Sequence, residues 1–152
     1  MDYLETKNIL FHTCLDWLEN KIAIASKAMK DAQESANREE KSSAGDKYET
    51  GRAMSQNERD MHARQLAECL KQKQLLLSLN ITKKHERVSS GALVKTDAAN
   101  YFISISAGSF VIEKITYFAV SPDTPVALLM MNKKEGETFL FNKSKNSILK
   151  IS

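Results

Sequence analysis

The stretch Phe11–Ala36, FHTCLDWLENKIAIASKAMKDAQESA, decides the architecture. Within it Phe11, Leu15, Leu18, Ile22, Ala25, Met29, Ala32 and Ala36 follow one another at alternating steps of four and three residues. Such a stripe keeps to one side of a helix and repeats as the a and d positions of a coiled coil. Its residues shrink towards alanine at the far end, so a partner helix is expected to approach more closely there. No Gly or Pro interrupts the segment. A helix is expected from Leu4 to about Lys41, near 38 residues and roughly 55 Å at ~1.5 Å per residue.

The next cluster of turn-forming residues is Ser42-Ser43-Ala44-Gly45-Asp46, and a second breaker-poor segment follows it to about residue 80. If the chain reverses there, residues that face each other have numbers totalling about 92. The partner stripe is expected at Ala53, Gln56, Asp60, Ala63, Ala67, Leu70, Gln74 and Leu77. Ala25 would then face Ala67, Ile22 would face Leu70 and Leu15 would face Leu77. An antiparallel helical hairpin satisfies both stripes. Asp46 can cap the second helix with Glu49 at its third position, a capping box with Asp in place of Ser or Thr.

Composition narrows the class. The chain has 152 residues, 42% apolar and 27% charged, with a formal charge of +3. No run approaches the ~18 apolar residues of a membrane span, and Met1-Asp2-Tyr3-Leu4-Glu5 lacks the basic-then-apolar order of a secretory signal, so a cytoplasmic protein is expected. Residues 1–80 carry 12 basic and 13 acidic side chains, whereas residues 81–152 carry 10 and 6, which places the positive excess in the second part. Two cysteines, Cys14 and Cys69, are too few for a disulfide framework, and the hairpin register sets them more than ~10 Å apart along the helices. His12, His62 and His85 are scattered and none pairs with a cysteine at zinc-ligand spacing.

After Leu79-Asn80 the pattern changes to alternation. Residues 92–96, 101–105, 116–120, 137–141 and 148–151 read as short strands, and 126–130 as a short helix. Gly91, Asn100 and Ala107-Gly108-Ser109 read as turns. The expected organisation is a rod over residues 1–80 and a small antiparallel β domain over residues 81–152, an α+β arrangement. Trp17 and the aromatics Tyr101, Phe102, Tyr117, Phe118, Phe139 and Phe141 read as packing residues.

These motifs, in this order, resemble the bacterial Gre transcript-cleavage factors, in which an antiparallel coiled coil precedes an FKBP-like domain. The family's tip reads Gly-Asp-x-x-Glu-Asn, and this chain has Gly45-Asp46-Lys47-Tyr48-Glu49-Thr50. The family's later motifs have counterparts in Gly91-Ala92-Leu93-Val94, Tyr101-Phe102-Ile103, Ser121-Pro122 and Asn132-Lys133-Lys134-Glu135-Gly136-Glu137. Thr50, Ala53 and Asn132 depart from the family's usual Asn, Tyr and Gly.

The resemblance implies an elongation factor whose rod enters the secondary channel of RNA polymerase and stimulates the polymerase's own cleavage of backtracked RNA. It implies that Asp46 and Glu49 act at the polymerase active site, helping to hold a Mg²⁺ ion and its water. Hard carboxylate oxygens suit Mg²⁺, and two metals clamp the attacking and leaving oxygens of an in-line displacement. Lys47 and Arg52 would guide the RNA 3′ end, and Ser121, Pro122 and Asp123, with Thr124, would dock the β domain on the polymerase. Such a protein is an accessory factor and not itself an enzyme. It has no cofactor of its own, no small-molecule substrate and no membrane partner, and it works as a monomer. Two alternatives stand beside this: a channel-binding regulator or inhibitor without cleavage activity, and a coiled-coil adapter unrelated to polymerase.

Overall fold

The computed structural model describes residues 2–40 and 45–152, and the side chains of residues 39, 40 and 45–49 lie outside the described set. Two long helices, α1 (Tyr3–Glu40) and α2 (Gly45–Leu77), precede six strands and one short helix. The α+β class follows directly. The chain divides into two compact units, Leu18–Lys73 on the one hand and Met1–Trp17 with Gln74–Ser152 on the other.

The helix α1 spans 38 residues, about 57 Å at ~1.5 Å per residue. Asp2 starts it: its Oδ1 accepts the Glu5 N–H at 2.9 Å, an N-cap bond to one of the four amides a helix leaves unpaired. In the Leu18–Lys73 unit the two helices run antiparallel. Lys73 pairs with Glu19 at 2.6 Å, and Arg59 Nη1 donates to Gln33 Oε1 at 3.0 Å. In both cases the residue numbers total 92, the register expected from the stripes.

The α1 stripe is seen at Leu18, Ala25, Ala32 and Ala36, all buried. The α2 stripe is a correction. Gln56, Asp60 and Ala63 are half-buried as expected, but Ala53, Ala67, Leu70, Gln74 and Leu77 are exposed, and from Leu66 onwards protection falls on Leu66, Cys69, Lys73 and Leu76, one residue earlier in the heptad. Ala67, Leu70 and Leu77 thus do not form the buried seam expected of them. The physical reason lies in the long cations. Arg59 and Lys73 are half-buried and their heads bond across to Gln33 and Glu19, a use of long side chains that a purely apolar count misses.

The other unit carries a six-stranded sheet in the order β3-β4-β2-β1-β6-β5. Its strands are β1 (Leu93–Thr96), β2 (Asn100–Ile103), β3 (Gly108–Ile112), β4 (Ile115–Val120), β5 (Thr138–Phe141) and β6 (Ser144–Ile151), with α3 (Pro125–Met130) between β4 and β5. The sheet is mixed, not wholly antiparallel: β2 and β4 run parallel, with Phe102 beside Ala119. The sequence reading missed β3, whose insertion on the far side of β4 is what allows that parallel pair.

One face of the sheet presents Val94, Ile103, Phe139, Ile148 and Ile151 to Val126, Ala127 and Met130 of α3. Burial of these side chains contributes roughly 1.5–3 kcal/mol each relative to exposure. On the opposite face Phe102 is fully buried. There the start of α1, through Asp2, Tyr3 and Thr6, shares a cavity of about 250 Å³ with Leu93, Lys95, Asn100, Tyr117 and Lys150. This packing also turns the buried face of the first turns of α1 to Lys7, Leu10 and Cys14, and leaves Phe11 and Leu15 half-buried.

Candidate functional site

The segment Gly45-Asp46-Lys47-Tyr48-Glu49 forms the opening turns of α2, directly after the junction between the long helices. The side chains of Asp46, Lys47 and Glu49 lie outside the described set, so their geometry and the expected capping box stay at the level of sequence. Arg52, one turn further on, is half-buried and engaged in an interaction of its own.

Ser121, Pro122 and Asp123 form the corner between β4 and α3. The Ser121 hydroxyl donates to Asp123 Oδ1, and Ser106 Oγ donates to Ser121 Oγ at 3.1 Å and accepts the Ser121 N–H at 3.3 Å. The Ser121 carbonyl accepts both the Thr124 amide at 3.1 Å and the Thr124 hydroxyl at 2.8 Å. Pro125 then occupies the first position of α3, where its missing N–H costs no helical bond. These bonds fix a rigid, outward-facing loop. Asp123 is exposed, and Ser121 and Pro122 are half-buried. Beside it, Leu128 and Leu129 of α3 expose 62% and 40% of their surface, an unusual density of leucine for a six-residue helix.

A second constellation was not anticipated from the sequence. Lys7 is wholly buried, and its Nζ donates to the Lys83 carbonyl at 3.0 Å and sits 5.6 Å from the centre of the Tyr3 ring. Desolvation lowers its pKa from 10.5 to about 8. His85 is also buried; its Nδ1 lies 2.8 Å from Ser89 Oγ, and its Nε2 forms no hydrogen bond of good geometry, the backbone of Asn80 offering only a weak acceptor. Burial holds its pKa below the ordinary 6.5, and the charges of Lys7 and Lys83 push the same way. The signal for Lys7 was its spacing to Leu10 and Cys14, obscured because lysine is almost never fully buried.

Both cysteines are free and buried, and burial raises the Cys14 thiol to about 11, offset in part by a hydrogen bond with Ser104. Among the described residues no group of three or more His, Cys, Asp or Glu side chains could hold a metal ion. The cavities in the helical unit are grooves beside the seam, one of about 390 Å³ lined by Ile24, Ala25, Ala28, His62 and Cys69 and another of about 490 Å³ near Met29, Gln33 and Arg59. The aromatics are split between the two faces of the sheet. Phe102 and Phe139 are buried, while Phe118 stays 40% exposed with its ring 5.9 Å from that of Tyr101.

No helix among the described residues is long and apolar enough to cross a membrane. No protein-family model and no curated protein matches the sequence. One solved structure, described as that of the transcription factor Gfh1, is 14% identical and covers 93% of this chain and 92% of its own, with a TM-score of 0.34. At that TM-score the likeness supports neither a fold assignment nor a function.

Proposed function

We propose that this chain is a Gre-like transcription elongation factor. In this reading residues 1–80 form an arm that enters the secondary channel of RNA polymerase, and residues 81–152 form the docking domain. Asp46 and Glu49 are delivered to the catalytic Mg²⁺ of the polymerase, where Asp46 is the principal ligand and Glu49 the second ligand or the group that orients water. Lys47 and Arg52 contact the backtracked RNA, and the Ser121-Pro122-Asp123 corner docks on the channel rim. The chain is an accessory factor whose catalysis resides in the polymerase. The observation that supports the reading is the antiparallel register of the helix pair, in which Glu19 meets Lys73 and Gln33 meets Arg59; the acidic motif stands in the sequence between the two helices of that pair. The motif order along the second part of the chain supports it.

The test is capture of RNA polymerase followed by transcript cleavage on a stalled elongation complex. Wild type is expected to bind and to shorten the RNA; Asp46→Ala is expected to bind equally and not to shorten it. Cleavage retained in Asp46→Ala counts decisively against the assignment. A second reading is favoured by Thr50 and Ala53, which replace the family's usual residues beside the acids: a channel-binding regulator that occupies the polymerase without promoting cleavage. It predicts binding without RNA shortening in the wild type itself.

A further inference from the structure

The segment from Asn80 to Gly91 joins α2 to β1 and is pinned at several points. At its start Asn80 Oδ1 accepts the Thr82 amide at 3.1 Å, the Thr82 hydroxyl at 2.7 Å and the Lys83 amide at 3.3 Å, an Asx turn that shapes the segment from within. In its middle the Lys83 carbonyl accepts from buried Lys7, and the His85 ring sits inside against Ser89. At its end the Gly91 amide donates to the Ile103 carbonyl at 2.7 Å. Gly91 has φ +91°, and a Cβ there would lie 3.2 Å from the Asn80 carbonyl oxygen and 3.4 Å from His85 Nε2, so the two ends of the segment close tightly on the ring.

We propose that residues 80–86 form a proton-sensitive strap, hinged at Val88, docked on the first turns of α1 while His85 is neutral and released when His85 takes up a proton. This inference stands independently of the polymerase reading. In the docked state Nδ1 accepts the Ser89 O–H, and Nε2 carries the proton beside the Asn80 backbone. A proton taken from solvent must go to Nδ1. It forces the Ser89 hydroxyl to turn from donor to acceptor, and it places a cation within electrostatic reach of two others. The charges that act on the ring are Lys7 from α1 and Lys83 from the strap itself, and Lys84, Glu86 and Arg87 line the same surface pocket as His85. Tyr3 touches Lys7 with its ring alone. A protonated His85 and Lys7 are both buried and so poorly screened from each other, and the exposed Lys83 adds a smaller, solvent-screened repulsion. The far end of the segment is fixed: Val88 is buried in the core, its amide donates to the Lys133 carbonyl and its carbonyl accepts the Asn132 amide, both at 2.9 Å, and Arg87 Nη1 donates to the Asn132 carbonyl at 3.0 Å. Residues 82–84 and 86 are exposed and carry no such ties, so release concerns residues 80–86.

Hydrogen exchange of the full-length chain, at pH 7.5 and pH 5 with intrinsic rates corrected, tests this. Protection of residues 80–86 is expected to fall on the order of tenfold in acid, since opening gains at most about tenfold per pH unit as pH falls from the open-state pKa of 6.5 towards the lowered docked-state value. The β2 and β4 amides serve as the reference and are expected to hold. His85→Gln keeps a donor and an acceptor but cannot titrate, and the acid loss is expected to vanish. Equal protection of the wild-type strap at both pH values overturns the proposal, as does an acid loss that persists in His85→Gln. If His85→Gln fails to fold, NMR titration of His85 in Lys7→Met decides instead. Removing the neighbouring charge is expected to raise the imidazole pKa, and an unchanged or lower value overturns the proposal.

Discussion

Replacing Lys7 with methionine is expected to stabilise the chain at neutral pH and to abolish one specific pH dependence. The side chain is wholly buried and its pKa falls from 10.5 unfolded to about 8 folded. A depressed base binds fewer protons folded than unfolded across that window, so wild-type stability is expected to rise from pH 8 to pH 10.5. Below pH 8 the penalty is fully present. Its ceiling is about 3.5 kcal/mol, from a displacement of roughly 2.5 pH units at ~1.4 kcal/mol per unit. Methionine retains the length and apolar stem of lysine without the charge but strands the Lys83 carbonyl, which costs about 1 kcal/mol. A net gain of roughly 2 kcal/mol at pH 7 should therefore shrink and then reverse by about pH 10.5. Urea unfolding followed by Trp17 fluorescence at pH 7, 8.5 and 10 measures this. The difference between wild type and variant removes contributions from Tyr101 and Cys14, whose pKa values burial raises. A difference that stays constant from pH 8 to pH 10 refutes the reasoning, as does a Lys7→Met protein less stable than wild type at pH 7.

Gly91→Ala is expected to lose about 1–3 kcal/mol in thermal melts, because it forces an L side chain into φ +91° and against the Asn80 carbonyl. Leu76→Ala is expected to cost about 2–5 kcal/mol and Leu77→Ala less than about 0.5, since the first is fully buried and the second is 54% exposed. Equal effects in chemical denaturation would reinstate the heptad phase expected from the apolar residues. In the Glu19–Lys73 pair a double-mutant cycle to alanine is expected to return a coupling of about 0.2–1 kcal/mol that weakens in salt, as suits a partly exposed ion pair. At pH 8 neither buried cysteine is expected to react with a maleimide until urea unfolds the protein, and rapid labelling of Cys14 would contradict its burial and its pKa near 11.

The hairpin was legible because α1 carries its pattern in side chains of one kind. Its limits and its register on α2 follow from the Phe11–Ala36 stripe. The phase of α2 was not legible, because Arg59, His62 and Lys73 count as polar in any apolar tally yet occupy the seam. The strand β3 was hidden twice over. Gly108-Ser109 reads as a turn, and the real turn is Glu113-Lys114, two residues at φ 48° and 68° where a tight hairpin ordinarily signals itself with Asn-Gly. The β5–β6 hairpin turns at Asn142-Lys143 with similar angles, and there the Asn does carry the signal. At the candidate site, sequence placed the acidic motif at the helical junction and the Ser121-Pro122 corner before α3. It did not reveal the buried Lys7 and His85, which meet only through tertiary packing across nearly eighty residues.

The lopsided seam of the hairpin has a thermodynamic consequence. In the Leu18–Lys73 unit α1 contributes Leu18, Ala25, Ala32 and Ala36 to the interior, while α2 contributes Cys69 as its one buried apolar side chain among those described. Alanines and a single thiol remove little hydrocarbon from water, and surface ion pairs add little more. Calorimetry should accordingly resolve two endotherms: an early, broad one as the arm frays, and a later, sharper one when the sheet and its α3 cover come apart.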